Sequence, residues 1–410
     1  MSDKIKCLVC GEECHAIAKH LKEAHGEGSA KPYTLDSYRA EFGADTPLLS
    51  KIAQERIDQV QAQKRAAEEQ VAANNPAPGA KPAQASGNPD IEKKFFHEVF
   101  RFDNTVKQAF NKQGNGIPVS TDARKTGAHE ELIPAWSENY VLNPDLTKTI
   151  MMAVETKTPI YLFGHSGVGK SSIVKQICAG TARRFFRFQH TVDTEESHIV
   201  GQWTVEAEVD SHGNKVSVTK FVLGPLAEAM LNGWFYLADE IDRSSPTVLS
   251  AYQAILEGEP LIIKNAPPHL RTIKPHPLFA FAATGNTNGT GDQTGLYQAT
   301  LVQDAATIER FGVVAKVDYP PEKQEIAMIA AATGLSDADA KKIRTFAHEI
   351  REKAFPNQVS LTIGPRVAIN IAKMGMMKAD FVEGAIYAYC NRLPDAEREA
   401  ALGIAKRILG

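Results

Sequence analysis

The sequence predicts an α/β protein: a parallel sheet flanked by helices, then a helical domain, with a small metal-ligating module joined in front by a flexible linker. Three observations predict this. From about residue 159 short apolar runs alternate with stretches of helical periodicity, the pattern of strands covered on both faces. A glycine-rich loop ending in Lys-Ser lies between one such run and a helical stretch. Three of the five cysteines fall within the first 14 residues, with histidines close behind.

Composition narrows the function. With 410 residues, 43% of them hydrophobic, the chain can build two or three domains with real cores. Its 46 Lys and Arg against 49 Asp and Glu leave a net charge of -3, which argues against a protein that coats nucleic acid or an anionic membrane. No apolar run approaches the roughly 18 residues of a membrane span, and the N-terminus is too charged for a signal peptide. The expected location is cytoplasmic, and cysteines clustered at one end suit a local metal site in a reducing compartment.

Taken in order, residues 1–45 form the Cys/His module. Cys7 and Cys10, followed by His20 and His25 on a stretch of helical character, give C-x2-C-x9-H-x4-H. Two thiolates from a turn and two imidazoles a helical turn apart make a tetrahedral Zn²⁺ shell, with Cys14 and His15 as rival ligands. So small a module holds few large apolar residues, and metal would supply much of its folding energy. Residues 46–70 carry mixed charge and strong helix formers without an apolar stripe, hence a solvated helix. Residues 71–90 contain four prolines and no aromatic residue and form a disordered linker.

Residues 91–320 carry the sheet, with strands expected at 160–163, 185–189, 234–238, 278–283 and 313–317. Gly164-His165-Ser166-Gly167-Val168-Gly169-Lys170-Ser171 fits G-x-x-x-x-G-K-S/T directly after the first of these. Such a loop wraps phosphate with backbone N–H groups at a helix N-terminus; Lys170 reaches the outer phosphates and the Ser171 hydroxyl binds Mg²⁺. The cradle comprises Gly164, Ser166, Gly167, Val168, Gly169, Lys170, Ser171 and Ser172. The run at 234–238 ends in Asp239 and Glu240, at the strand end that faces the ligand crevice. Asp239 would complete the Mg²⁺ shell, and Glu240 would polarise an attacking water. An insertion over residues 203–209 and 215–221, around Ser211-His212-Gly213-Asn214, alternates apolar and polar residues as a β-hairpin does. Residues 321–410 hold no strand pattern and read as helices at 323–333, 337–354, 365–374 and 395–409. Cys178 and Cys390, in apolar helical surroundings, read as core thiols.

Ala238-Asp239-Glu240-Ile241-Asp242-Arg243-Ser244-Ser245-Pro246 resembles the A-D-E-I-N-R-A-P stretch of MoxR-type AAA+ ATPases. Phe281-Ala282-Ala283-Thr284-Gly285-Asn286-Thr287 and Gly291-Asp292-Gln293-Thr294-Gly295-Leu296-Tyr297 resemble, within that group, segments of the CobS subunit of aerobic cobaltochelatase. The resemblance runs from Ile133 onward. It implies an AAA+ P-loop domain with a helical lid, ATP and Mg²⁺ as ligands, and hydrolysis of ATP. It further implies Asn286 as the first sensor, on the strand beside the phosphate loop; Arg310 as an arginine finger inserted into a neighbour's site; and Arg366 as the second sensor. A finger supplied in trans implies a homo-oligomeric ring, by resemblance a hexamer, and the hairpin would engage partners.

Residues 1–45, with Leu35-Asp36-Ser37-Tyr38-Arg39-Ala40-Glu41-Phe42-Gly43 after the histidines, resemble the Ros/MucR-type zinc finger, whose relatives bind DNA. Residues 1–70 nevertheless carry 10 basic and 12 acidic side chains, and phosphate contacts need a positive face. The reading that follows is a ring ATPase that remodels a client protein recruited by the finger. Alternatives are the ATPase subunit of a cobaltochelatase-like complex with a VWA-domain, CobT-like partner, and a DNA-binding regulator.

Overall fold

A computed structural model describes residues 4–26, 29, 32–43, 46–54, 88–124, 129–209, 215–292 and 295–410. The chain divides into two compact units, Met1–Pro76 and Ala77–Gly410.

In the first unit β1 (Ile5–Lys6) pairs antiparallel with β2 (Glu13–Cys14), followed by α1 (Ile17–Ala24) and α2 (Leu35–Phe42). Thr34 caps α2 through a reciprocal bond with Ser37, which satisfies orphan N–H groups at the helix start. The buried apolar set is Cys7, Ile17, Leu21 and Tyr38, and the Tyr38 hydroxyl accepts the Leu8 N–H at 2.9 Å. Among the described residues these four are the fully buried apolar ones, with Tyr33, Leu35, Phe42 and Leu48 among the partly buried side chains packed on them, a small core for a module of this size without further crosslinking. Residues 51–54 are helical; the remainder of the expected solvated helix, residues 55–70, and linker residues 71–87 lie outside the described residues.

The second unit opens with an antiparallel ribbon of β3 (Ile91–Phe95) and β4 (Pro118–Asp122), which the sequence reading did not anticipate. Asp122 anchors it by taking Arg184 at 3.0 Å and Arg124 at 2.7 Å. Then come α3 (Pro144–Glu155), β5 (Ile160–Phe163), α4 (Lys170–Gly180), β6 (Phe185–Gln189), α5 (Glu196–Val200), the hairpin β7 (Gly201–Val209) and β8 (Lys215–Leu223), α6 (Pro225–Asn232) and β9 (Phe235–Asp239). The tip of the hairpin, residues 210–214, lies outside the described residues. A short ribbon of β10 (Leu261–Ile262) and β11 (Thr272–Ile273) precedes β12 (Ala280–Gly285), α7 (Ala305–Glu309) and β13 (Val313–Lys316).

Five strands form one parallel sheet in the order β13-β5-β12-β9-β6. Alternation along each strand feeds two cores. Ile160, Leu162, Phe235, Leu237, Ala280 and Ala282 face one, which also takes the buried thiol of Cys178. Tyr161, Tyr236, Ala238, Phe281 and Ala283 face the other. Burial on both faces is why these strands read as continuous apolar runs.

The order places β12 between the strand that carries the phosphate loop and the strand that ends in Asp239. Strands β9 and β12 extend past their apolar residues, to Asp239 and to Thr284-Gly285, beyond the expected ends at 238 and 283. The added residues pair outward, Thr284 and Gly285 with Leu162 and Phe163 of β5 and Asp239 with Gln189 of β6, and across the β9–β12 seam Thr284 Oγ1 donates to Asp239 Oδ1.

The C-terminal region is helical: α8 (Glu322–Thr333), α9 (Asp337–Glu349), a wide π-helical turn over Ile350–Ala354, α10 (Pro365–Lys378), α11 (Phe381–Ala388) and α12 (Asp395–Leu409). Helix α11 was not among the expected helices. The core of this bundle includes Ile343, Phe346, Ile371, Tyr389, Cys390 and Leu409. A buried pair, Glu325 with Arg351, closes it through bonds of 2.6 and 2.8 Å.

Candidate functional site

The loop between β5 and α4 closes over its own backbone. Gly164 has φ 148°, and a Cβ there would stand 2.2 Å from the Val317 carbonyl oxygen, so only glycine lets the chain turn here. Lys170 is folded into the loop: its ammonium donates to the carbonyls of Gly164 at 2.6 Å and His165 at 3.0 Å and to Asn286 Oδ1 at 3.2 Å. Burial pushes its pKa down to about 8, against the pull of Asp242, Asp239 and Glu240. Val168 is buried in the core beneath the loop.

Asp239, at the end of β9, is 2% exposed and has both oxygens engaged. Oδ1 accepts the Ser171 hydroxyl at 2.6 Å and that of Thr284. Oδ2 accepts Arg187 Nε at 2.6 Å, and Arg187 Nη2 completes a two-pronged ion pair. The next residue, Glu240, holds φ 55° in the left-handed region, uncommon for a side chain with a Cβ. Its N–H donates to Thr284 Oγ1 at 3.0 Å, while Oε2 accepts Gln189 Nε2 and Arg243 Nη1, both at 3.1 Å. Asp242, wholly buried, accepts the N–H groups of Asn286 at 2.7 Å and Thr287 at 3.0 Å on one oxygen. Burial raises this carboxyl, and those bonds pull the other way. It fixes the turn that points Asn286 at Lys170.

The loop also meets the segment after β12 and the helical bundle. Tyr297 Oη accepts the Ser166 N–H at 3.0 Å and lies 3.0 Å from His165 Nδ1. The His165 ring stacks on Tyr319, with centroids 5.4 Å apart. Arg366, in the first turn of α10, packs on the loop: a Cβ built on Gly167 would lie 3.4 Å from Arg366 Cβ. A cleft of about 370 Å³ opens there, with Tyr140, Val141, Gly167, Ser172, Met328 and Arg366 on its walls. Apolar walls beside loop amides and a guanidinium suit a nucleotide, whose base is flat and apolar and whose phosphates are anionic.

The structure therefore brings together the phosphate loop, Asp239, Glu240, Asn286 and Arg366. It does not bring Arg310 to them. Arg310, just after α7, donates to Glu257 Oε1 at 2.6 Å and to the Ala306 carbonyl at 2.7 Å. Among the described residues its hydrogen bonds go to these partners and not to its own loop.

Sequence reasoning missed Thr284, Gln189, Arg187 and the hydroxyl of Tyr297. Arg187 carried a signal, being a lone cation within the aromatic strand Phe185-Phe186-Arg187-Phe188. Thr284 closes an apolar run two residues before Asn286. Gln189 and Tyr297 act through positions that only the tertiary fold creates.

In the first unit the ligand atoms of Cys7, Cys10, His20 and His25 all lie within 4.8 Å of one another. Cys10 Sγ is 3.1 Å from His20 Nε2, and Cys7 Sγ is 3.9 Å from His25 Nε2. Two thiols and two imidazoles at this spacing match the donor set and reach of a four-coordinate Zn²⁺ site. Neither rival ligand joins this group: His15 Nδ1 is 2.9 Å from Ser50 Oγ, and Cys14, though packed against the same small core, is outside the four.

Residues 159–303 match the family profile of the AAA domain (dynein-related subfamily). The chain is 26% identical over 287 residues to the aerobic cobaltochelatase subunit CobS of a Sinorhizobium species, covering 68% of this chain and 83% of that protein. It is 23% identical over 316 residues to the gas vesicle ATPase GvpN of Ancylobacter aquaticus, covering 72% and 86% respectively. With midasin of Dictyostelium discoideum the identity is 27% over 229 residues, which is 55% of this chain and 4% of midasin.

Proposed function

We propose that the chain is an AAA+ ATPase of the MoxR/CobS kind that works as a Mg²⁺-dependent homo-oligomeric ring, a hexamer, and remodels or activates a client protein. The observation that carries this reading is the separation of Arg310 from an otherwise assembled site. The ends of β9 and β12 and the first turn of α10 converge on the loop, while Arg310 is paired with Glu257. A neighbouring copy's Arg310 would complete the site.

The reaction is ATP plus water giving ADP and phosphate. The amides of residues 164–171 cradle the phosphates, and Lys170 leaves the loop carbonyls for the β- and γ-phosphate oxygens. Ser171 and Asp239 would hold Mg²⁺, which would supply neutralisation of the phosphates' negative charge. Glu240 turns from Gln189 and Arg243 to accept a hydrogen bond from water and takes its proton as the oxygen attacks the γ-phosphorus. Asn286 orients that water. Arg366, in the first turn of α10, couples the helical bundle to the γ-phosphate, and the neighbour's Arg310 neutralises charge developing in the transition state.

Cys7, Cys10, His20 and His25 would hold Zn²⁺ as a structural ion, and the module so folded recruits the client. A protein client is favoured over DNA by the acidic balance of residues 1–70. Similarity to CobS over most of that protein's length favours a second reading, in which the chain is the ATPase subunit of a metal-insertion complex with a VWA-domain partner. A cytoplasmic location accords with both. Among the described residues no helix is long and apolar enough to cross a membrane.

The test is mass photometry and phosphate release on the full chain with ATP and Mg²⁺. Nucleotide-dependent rings whose turnover is lost in Arg310→Ala support the reading. Brisk turnover by a monomer contradicts it.

A further inference from the structure

Arg187 is a half-exposed cation on the outermost strand of the sheet, and its guanidinium grips the carboxylate expected to complete the metal shell. Its Nε is 2.6 Å from Asp239 Oδ2 and its Nη2 makes a second contact, while its side chain remains 47% exposed. The other oxygen of Asp239 faces Ser171 and Thr284. The carboxylate is thus divided between a hydroxyl side, with Ser171 and Thr284, and a guanidinium side, supplied from the neighbouring strand β6. A two-pronged arginine–carboxylate bond is among the stronger polar contacts in a protein. It also delivers a full positive charge to the group whose negative charge a divalent cation needs.

We propose that Arg187 is the built-in counter-cation of the Mg²⁺ site: it neutralises Asp239 while the metal is away and opposes metal entry, thereby setting the Mg²⁺ concentration at which the site loads. This rests on the ATP and Mg²⁺ reading above and adds a positioning residue that acts through Asp239. The sign follows from Coulomb's law. A cation and an incoming dication on one carboxylate repel each other, and at a half-exposed site the effect is modest but measurable. Removing the guanidinium tightens metal binding, whereas a residue that merely supported the strand would weaken it or leave it unchanged.

The experiment uses the full chain saturated with ADP and titrated with Mn²⁺, followed by electron paramagnetic resonance. Arg187→Gln, which removes the charge, is expected to tighten Mn²⁺ by about three- to tenfold. Arg187→Lys, which keeps the charge though not the two-pronged bond, is expected to stay nearer the parent than Arg187→Gln does. Circular dichroism and thermal unfolding of both variants report that the fold is retained. Unchanged or weaker Mn²⁺ binding in Arg187→Gln overturns the proposal, as does equal tightening in both variants. If the parent binds no more Mn²⁺ with ADP than ADP does alone, the metal–nucleotide reading itself fails, and this inference with it.

Discussion

Ser171 donates its hydroxyl proton to Asp239 Oδ1 across 2.6 Å, although 68 residues separate the two in sequence. Ser171 lies in the first turn of α4, after the loop that follows β5, and Asp239 ends β9; β12 stands between those two strands in the sheet. A hydroxyl and a carboxylate suited to one divalent cation are therefore held side by side by rigid elements, as a preorganised site requires.

Glu240→Gln keeps the shape of the side chain and removes its basicity. ATP hydrolysis is expected to fall by at least about 100-fold, the range set by loss of a general base, while affinity for a fluorescent ATP analogue changes little. Phosphate release and fluorescence anisotropy on the same preparation check both. A variant that hydrolyses at the parent rate removes Glu240 from the mechanism.

The Cys/His centre predicts one Zn²⁺ per chain by mass spectrometry of the metal content. Cys10→Ser and His25→Ala are expected to lose it, and the first unit is expected to lose its helical signal, since its small apolar core, with Cys7, Ile17, Leu21 and Tyr38 the fully buried members among the described residues, does not hold it alone. Chelator-resistant folding of that unit without metal would contradict this.

Much of the site was legible in the sequence because its chemistry is local. A phosphate loop needs glycines and a lysine within eight consecutive residues, and an acidic strand end needs an apolar run beside it. The strands themselves were legible because burial on both faces leaves no polar residue among 160–162 or 235–238 apart from tyrosine hydroxyls. The parts missed depend on which strands become neighbours. Thr284 serves both Asp239 and Glu240 only because β12 lies beside β9. Arg187 reaches Asp239 only because β6 is the next strand over. Tyr297 reaches Ser166 across a sequence separation of 131 residues. The ribbon of β3 and β4 escaped because its Glu-Lys-Lys stretch is too polar to show a strand pattern.

His190 gives the fold an acid limit. Its ring is wholly buried between Ser244 Oγ at 2.7 Å and Tyr252 Oη at 2.8 Å, and burial pushes its pKa down from 6.5 to about 4. The unfolded chain binds this proton at higher pH than the folded chain does. The stabilisation is therefore complete above pH 6.5 and is lost as pH falls from 6.5 toward 4, amounting to about 3 kcal/mol at most. Urea unfolding of the parent and of His190→Gln between pH 7.5 and 4.5 measures the difference. The variant is expected to be less stable at neutral pH and to show a flatter dependence; parallel curves would contradict the assignment.

The central claim is that each nucleotide is enclosed by two copies of the chain, one bringing the loop and Glu240, the next bringing Arg310. The most direct measurement mixes two inactive proteins, Arg310→Ala and Glu240→Gln, under conditions that allow subunits to exchange, and follows phosphate release. In a shared site, interfaces that pair an intact Glu240 with an intact Arg310 reappear, so activity returns to about a quarter of the parent value on random mixing. If each chain works alone, the mixture stays as inactive as its components, and the shared site is wrong.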